Sequence, residues 1–392
     1  KWLDQLKLRL SYGSNGNQAI SPYQTLDRLS AVKKYLFGDE ATPVNGVYLP
    51  TNGVGNPNLK WETTNTFNAG LDYSFLNGRL LGSFDFYVSN TKDLLMSRSV
   101  PYMNGYRSIM DNIGSTRNIG LEFVLTSVNI RNKDFEWRTT FNLAWNKDEI
   151  TKLADNATQD LTNKWFVGES SRVYYDYNVV GTWQTNEATW DATKKKYINA
   201  DGKEIQKGAV PGSAKLEDVN GDGVIDSNDK KVIGSKLPSI TSALTNNFAY
   251  KNVYASFVLT GLFGQWRQMH DYNFDRWMPE FNYLSGMNYW TEDNPTNEMT
   301  SPVYVPFNKH GFYKRMNYVH IKNVTLGYRL PKEWANSLGL QSIKCDLSVN
   351  NLYTFSNIKN ALNFDSTQDD EKGAVIGYPT ARSYMFTLNV SF

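Results

Sequence analysis

Strict alternation of apolar and polar residues recurs along this chain and limits what it can fold into. The stretch "SYMFTLNVSF" places Tyr384, Phe386, Leu388, Val390 and Phe392 at every second position. A period of two is typical of a β-strand with two different faces, because successive side chains of a strand point to opposite sides. The pattern leaves two architectures open. One is a soluble β-sandwich with a locked final strand, and the other is a membrane barrel with an apolar face toward lipid.

About ten segments show this alternation, and several reach ten residues or more. The stronger ones are "QLKLRLSYG", "FNAGLDYSF", "GSFDFYV", "IGLEFVL", "FEWRTTFNLAWN", "VTLGYRL", "IKCDLSV" and the terminal stretch, with weaker ones at 241–250 and 253–263. A tilted strand needs roughly ten residues to cross a membrane, whereas strands of soluble proteins are commonly only about half as long. Strand length therefore favours the barrel.

Short and long connections alternate between these segments. The short ones are Asn77-Gly78, 132–134, 251–252 and the compact stretch 330–341, for which we expect one helical turn. The long ones are 14–62, 91–116, 149–240, 264–317 and 354–380. This rhythm is typical of outer-membrane barrels, which have short periplasmic turns and long extracellular loops. With a periplasmic C-terminus, the long connections are expected outside the cell.

Composition agrees with a barrel and excludes other classes. Aromatic residues make up 14% of the chain, which suits the aromatic girdles of a barrel and also suits a glycan-binding lectin. The net charge of +2 without a basic stripe argues against nucleic acid as a partner. The single cysteine, Cys345, excludes an internal disulfide. The chain opens on an alternating segment without a signal peptide, so we expect a portion of a longer protein.

The second face of the predicted strands carries charged side chains, which in a barrel would face a watery lumen. They are Lys7, Arg9, Asp72, Asp85, Glu122, Glu136 and Arg138.

Several separated motifs resemble the C-terminal part of SusC/RagA-type TonB-linked outer-membrane proteins. They are "GNPNLKWETTNTFNAGLDYSF", "NIGLEFVL", "DVNGDGVIDSNDKKVIGSKLP" and "ARSYMFTLNVSF", and the resemblance runs over nearly all of residues 1–392. It implies an all-β fold: the C-terminal part, about ten strands, of a transmembrane antiparallel β-barrel of about 22 strands that is plugged by an N-terminal domain. No plug domain is recognisable in this chain.

The same resemblance implies a function and partners. The function is TonB-dependent import of a large nutrient, an oligosaccharide or a peptide, across the outer membrane, with no enzymatic step and no catalytic residues. The implied partners are a SusD-like surface lipoprotein that acts as a lid, TonB acting through the missing plug, the remaining barrel strands and outer-membrane lipid. Two transporter–lipoprotein pairs can form a dimer.

The segment "DVNGDGVIDSND" (218–229), within the long insertion 149–240, has the spacing of a calcium-binding loop. Oxygen ligands at alternate positions with glycine at the sixth position suit a hard cation such as Ca²⁺. Position 12 carries aspartate where such loops favour the longer glutamate. We expect a structural Ca²⁺ that stiffens the insertion, the alternative being a metal-free turn cluster. The expected ligands are Asp218, Asn220, Asp222, the carbonyl of Val224, Asp226 and Asp229.

Residues 265–318 are dense in aromatic rings, which stack on sugar rings or on peptide side chains. The candidates for contact with substrate or lid are Trp266, Trp277, Tyr283 and Trp290. The alternative is that such rings form a small core of a long connection or part of the outer girdle. His270, His310 and His320 lack the spacing of a zinc site, and no nucleophile elbow or phosphate-binding loop is present.

One rival function stays open at this stage. A soluble, secreted, calcium-braced β-protein that binds glycans would share the aromatic content and the calcium loop, but it would dissolve without detergent. An uncoupled porin is a third reading.

Overall fold

The computed structural model describes residues 2–18, 20, 22–27, 30–37, 42–48, 54–101, 103, 105, 108–269, 288–302, 310–358 and 381–392. Within these ranges, no helix has the length and apolar composition needed to cross a membrane. The chain divides into two compact units. Unit 1 comprises Lys1–Thr126 and Asn142–Ser171, and unit 2 comprises Ser127–Phe141 and Arg172–Phe392.

Ten long strands form one sheet in the order β1-β4-β5-β8-β9-β18-β19-β20-β21-β22. The pairs β1–β4, β4–β5, β18–β19, β19–β20, β20–β21 and β21–β22 are antiparallel. Their bounds are β1 Leu3–Asn17, β4 Glu62–Phe75, β5 Leu80–Lys92, β8 Ser115–Arg131, β9 Phe135–Lys152, β18 Ile240–Tyr250, β19 Val253–Gln268, β20 Tyr313–Arg329, β21 Ser342–Ser356 and β22 Ser383–Ser391. The predicted all-β architecture is confirmed. Most of the strands are longer than the alternating sequence segments from which they were predicted.

Shorter strands lie in the long connections and pair in two-stranded sheets, β2-β3, β6-β7, β10-β11, β12-β17, β13-β16 and β14-β15. Their bounds are β2 Ser30–Phe37, β3 Thr42–Tyr48, β6 Leu95–Ser99, β7 Ser108–Asn112, β10 Gln159–Asp160, β11 Trp165–Phe166, β12 Val173–Tyr177, β13 Val179–Thr182, β14 Thr189–Asp191, β15 Lys196–Ile198, β16 Ala214–Leu216 and β17 Lys230–Ser235.

The short turns are set by local chemistry. Asn77 and Gly78 both have positive φ, as a type I′ turn requires, and the Arg79 amide donates to the Leu76 carbonyl at 3.3 Å. The Asn132 side chain accepts the amides of Asp134 and Phe135 and closes the β8–β9 turn. The compact stretch between β20 and β21 contains the helix α1, Lys332–Ser337. All four predicted short connections are therefore short in the structure.

The register sorts side chains onto two faces of the sheet. One, the apolar face, carries Leu71 opposite Leu8 and Phe84, and Leu388 opposite Cys345. Leu8 is 67% exposed, Leu388 55% and Phe84 38%, whereas Leu71 and Cys345 are half-buried. An exposed apolar row on long strands is the arrangement expected of a wall in contact with lipid.

The opposite, polar face carries hydrogen-bonded charges. In unit 1, the Arg9 guanidinium donates to Asp72 at 3.0 Å and to Asp85 at 2.9 Å, bridging β1, β4 and β5. Gly70 lies beneath this group, and a Cβ there would come within 2.7 Å of Arg9. Two of the predicted polar-row carboxylates thus hold one cation.

Candidate binding sites in the long connections

The buried core of unit 2 lies largely in its long connections. One cluster contains Tyr177, Ala214 and Leu216 from β12 and β16, with Ile225 packed against it. A second contains Leu262, Met269, Met299, Met316 and Ile358. The buried members of the first cluster lie within the insertion between β9 and β18, whereas the second cluster joins β19 and β20 to Met299 and Ile358.

A partly buried polar group joins this insertion to the start of β20. The Asp176 carboxylate accepts hydrogen bonds from the Tyr313 hydroxyl at 2.7 Å and from the Gly311 amide at 3.0 Å. His310 lies beside it, 1% exposed and in edge contact with Phe312. Burial lowers the pKa of His310 to about 4, although the Asp176 charge acts in the opposite direction. The imidazole is therefore neutral at physiological pH, which suits a structural role.

A cavity of about 150 Å³ lies next to this group. Its lining includes Asn178, Thr182, Asn297, Thr300 and Lys314. Ligand pockets usually measure about 300–1,000 Å³, so this cavity has room for a few waters or one small polar group. An oligosaccharide or a peptide does not fit inside it.

Trp290 is an interior residue of unit 2. Its side chain is 6% exposed, its indole N–H donates to Gln184 at 2.8 Å, and a Cβ on Gly212 would lie 2.6 Å from its ring. Trp266 is half-buried, and its ring lies against Gly234 of β17. Both rings pack against the insertion in this structure. Trp277 and Tyr283 lie outside the described residues.

A different tryptophan, which was not among the predicted contact residues, is exposed. Trp190 on the β14–β15 hairpin is 52% exposed and makes an edge contact with Tyr197, with 5.2 Å between ring centroids. Two local features of the sequence indicate this hairpin. Turn residues lie between Asp191 and Lys196, and an aromatic pair, Trp190 and Tyr197, flanks them at matching positions.

The loop 218–229 has the backbone of a tight cation-binding turn. Gly221 and Gly223 have positive φ of 74° and 81°. Asp218 accepts the amides of Gly221 at 2.7 Å and Gly223 at 2.8 Å, and Asp222 accepts the Val224 amide at 2.8 Å. Hydrogen bonds within the loop therefore hold its curled backbone.

The acidic side chains of this loop differ in their surroundings. Asn220, Asp222, Val224 and Asp226 are exposed and Asp218 is half-buried. Asp229 is 0% exposed, and its two oxygens accept the Val219 amide at 2.9 Å and the Asp226 amide at 2.8 Å.

The fit of this loop to Ca²⁺ is incomplete in the present rotamers. Among the described residues, no group of three or more His, Cys, Asp or Glu side chains is arranged to hold a metal ion. The residue types and the backbone curl suit Ca²⁺, but the carboxylates are turned onto the amides of the loop. Binding therefore requires side-chain rotation, and for Asp229 the exchange of two buried hydrogen bonds.

The sheet consists of long amphipathic strands with an apolar face and a charged face, and its long connections contain short strands of their own. These features define part of a transmembrane β-barrel. The family model for TonB dependent receptor-like β-barrels matches residues 1–226. The chain belongs to this family.

Two relatives and one solved structure extend the comparison. The chain is 32% identical to TonB-dependent receptor P26 of Formosa agariphila over 99% of its length and 40% of that protein. It is 30% identical to TonB-dependent receptor SusC of Bacteroides thetaiotaomicron over 85% of its length and 32% of that protein. The structure of the RagAB peptide transporter matches with a TM-score of 0.75 at 24% identity, over 100% of this chain and 41% of that one.

These matches confirm the resemblance to the SusC/RagA type of TonB-linked outer-membrane protein. The chain spans about 40% of the length of the first curated relative, so it corresponds to a portion of such a receptor.

Proposed function

We propose that this chain forms part of a TonB-dependent importer that carries a large nutrient across the outer membrane. The observation that carries the proposal is the division of the ten-stranded sheet into an exposed apolar face and a charged face. Such a wall separates lipid from a watery passage. The chain breaks no bond in this process, and the energy comes from TonB acting on a plug outside residues 1–392.

The cargo class proposed is an oligosaccharide or a peptide. SusC-type relatives and a structure described as a peptide transporter support this choice. The small cavity beside Asp176 is too small for either, so we assign cargo contact to the charged face of the sheet and to the parts of the long connections beyond the ends of the ten long strands, such as the β14–β15 hairpin. The barrel is closed by further strands, because an open sheet edge leaves unpaired backbone groups in lipid, and β1 and β22 each have one neighbour in the described sheet.

Uptake by the full-length protein tests this proposal. Cells lacking the gene are complemented with it and offered fluorescently labelled oligosaccharides and peptides, with and without TonB. We expect accumulation of one cargo class that requires both the protein and TonB. Accumulation that persists without TonB would favour an uncoupled porin instead.

The long connections are proposed to lie outside the cell and the short turns in the periplasm. An epitope inserted between Asp191 and Lys196 should then be accessible to antibody on intact cells. The same epitope inserted at Asn77-Gly78 should become accessible only after the outer membrane is opened. The reverse pattern would contradict the orientation.

The proposed partner is a SusD-like lipoprotein that rests on the long connections. The exposed Trp190 is a suitable anchor, since rigid aromatic side chains often dominate interface energies. We expect Trp190→Ala to reduce co-purification of the lipoprotein with the full-length receptor. Trp334→Ala is the matched control, because Trp334 is 61% exposed on α1, at the short-turn end. Equal recovery of the lipoprotein with both variants would exclude Trp190 as an anchor.

The loop 218–229 is proposed to hold a structural Ca²⁺ through Asp218, Asn220, Asp222, the carbonyl of Val224, Asp226 and Asp229. A weak site, with a Kd of about 10⁻⁴–10⁻³ M, would still fill outside a cell. Calorimetric titration of the full-length protein should show this site, and Asp222→Ala should abolish it. Asp201→Ala, an exposed aspartate elsewhere in the insertion, should leave it unchanged.

The soluble, glycan-binding alternative finds no support. It requires the apolar rows to be packed inside a core, whereas Leu8 is 67% exposed and Phe386 is 69% exposed.

A further inference from the structure

A cavity of about 550 Å³ lies in unit 1 at the end of the sheet where the long connections begin. It is bounded by the last residues of β5 and β9 and the first residues of β8. Among the described residues, its lining includes the apolar side chains of Tyr12, Phe67 and Val88 and the charged side chains of Lys92, Arg117 and Lys152.

The register places this cavity on the apolar face. Phe67 pairs with Val88 and Asn65 pairs with Asn90, so Asn90 and Lys92 continue the row that Phe84, Phe86 and Val88 occupy. Tyr12 belongs to the exposed row of β1 and is itself 73% exposed. The floor of the cavity is thus the end of the apolar row, the surface that the proposed function places against acyl chains.

The charged side chains that line the rest of the cavity are all positive. Lys92, Arg117 and Lys152 are the charged residues of the lining, and no carboxylate is among them. No described carboxylate forms an ion pair with Lys92 or Lys152. These two cations therefore keep their charge available to an incoming anion.

Arg117 is held in place by its neighbours. Its Nε donates to Asn90 Oδ1 at 3.1 Å, and its Nη1 lies 3.6 Å from Glu149. Lys147 lies 3.2 Å from the same carboxylate, so the single acid of this group is shared by two cations. Glu149 positions Arg117 without neutralising the group.

An adjoining cavity of about 540 Å³ shares Lys92, Ser115 and Lys152 but has a different character. Its lining adds Asp93, Asp111 and Asp155, and Arg98 there is paired with Asp111 at 3.1 Å. Acids and bases are balanced in this second cavity. Lys92 and Lys152 are common to both cavities, whereas Arg117 and the apolar side chains of Phe67 and Val88 line only the first.

We propose that the cavity formed by Tyr12, Phe67, Val88, Lys92, Arg117 and Lys152 binds a phosphorylated lipid of the outer leaflet. The phosphate lies against Lys92, Arg117 and Lys152, and the acyl chains lie along Tyr12, Phe67 and Val88. A free anion would use the cations alone, whereas only an amphiphile uses both parts of the cavity. The inference rests on the proposed function, since it requires the long connections to lie outside the cell.

The test uses the full-length protein in detergent and native mass spectrometry with added lipid A. Wild type should retain phosphorylated lipid A, and Lys92→Gln/Arg117→Gln should reduce that retention by roughly 30-fold, at about fivefold for each cation removed near a membrane surface. The matched control is Lys133→Gln/Lys332→Gln, which removes the same charge at the short-turn end and should retain the lipid as wild type does. Arg117→Lys should bind at an intermediate level.

Two further probes identify the ligand. Chemically dephosphorylated lipid A should bind weakly and equally to wild type and to the double variant. Inorganic phosphate at millimolar concentration should not displace lipid A; complete displacement would mean a soluble-anion site and would overturn the lipid assignment. Equal retention of lipid A by wild type and by Lys92→Gln/Arg117→Gln would overturn the proposal.

Failure of the lipid-site proposal can be distinguished from failure of the import proposal. TonB-dependent uptake by the double variant should equal that of wild type, because the cavity lies on the face away from the passage. Loss of lipid A with uptake retained supports the lipid site, while absence of uptake in wild type would contradict the import proposal alone.

Discussion

Individual glycines show how closely neighbouring strands of this sheet approach. Gly120 of β8 lies under the ring of Tyr87, and a Cβ there would come within 2.1 Å of that ring. Gly327 of β20 has the same relation to Tyr254, at 2.2 Å. The Tyr87 hydroxyl also accepts a hydrogen bond from Asn146 at 2.8 Å, which restricts movement of the ring. At both positions, the absence of a glycine side chain leaves room for a tyrosine ring of the adjacent strand.

Gly120→Ala should therefore lower the free energy of unfolding by about 1–3 kcal/mol, because overpacking forces the ring off its position. Urea unfolding of the full-length protein in lipid or detergent measures the effect. The matched control is Gly13→Ala in β1, where a Cβ would meet nothing within 4 Å; a change within about 0.5 kcal/mol is expected there. Similar losses for both variants would contradict this account.

His310 should make unit 2 sensitive to acid. Its folded-state pKa of about 4 lies below the ordinary value of 6.5, so between these values the unfolded chain takes up a proton that the folded chain does not. The contribution to stability is thus fully present above pH 6.5 and is lost as the pH falls toward 4. A shift of this size corresponds to about 3 kcal/mol.

Hydrogen–deuterium exchange of peptides from 288–302 and 310–318, corrected for intrinsic rates, measures this loss. Exchange should accelerate between pH 6.5 and pH 4 in wild type, and His310→Gln should flatten the pH dependence. His320→Gln is the control, since the His320 ring bonds the Thr354 hydroxyl at 2.6 Å in a strand pair. A pH dependence that persists in His310→Gln would exclude this residue as the cause.

At the scale of elements, the long strands and their turns were predictable, and the insertion was not. Alternation, turn residues and loop rhythm identified all ten strands of the main sheet, since each of these signals is local. Strands β10 to β17 contain two to six residues each, which is too short to display a period. Their positions depend on contacts such as that between Asp176 and Tyr313, 137 residues apart.

The closed conformation of the loop 218–229 depends on the buried side chain of Asp229. Asp229→Ala would leave the Val219 and Asp226 amides without their acceptor, and a lost buried partner costs about 1–3 kcal/mol. We expect faster amide exchange across 216–231 in metal-free protein. Asp201→Ala, at an exposed turn, should leave exchange there unchanged. Unaltered exchange in Asp229→Ala would show that the loop is held by other contacts.

At the scale of the whole molecule, the two faces of the sheet have opposite requirements. Leu388 pairs with Cys345 on the apolar face, while Asn389 pairs with Lys344 and donates to Asp346 at 3.3 Å on the polar face. A charge is tolerated beside water and disfavoured in hydrocarbon. Adjacent positions of one strand therefore differ sharply in what they accept.

Leu388→Arg should destabilise the full-length protein in lipid vesicles by about 2–4 kcal/mol if this position lies near the bilayer midplane, whereas Asn389→Arg should change stability little. Unfolding of both variants by guanidinium, followed by tryptophan fluorescence, provides the measurement. In a soluble sandwich the two substitutions would also differ, so the comparison is repeated in detergents of different chain length. A cost for Leu388→Arg that does not depend on the apolar phase would contradict lipid contact.

The sequence by itself determined the strands, their two faces and the short turns, because a period of two and the conformational preferences of Asn-Gly and similar pairs act over a few residues. Only the tertiary structure decided which aromatic and acidic side chains are buried. Trp290 is enclosed and Trp190 is exposed, and Asp229 is buried while Asp222 is exposed, although each pair looks alike in sequence. Burial depends on which distant segments come together, and within the long connections no local repeat records that information.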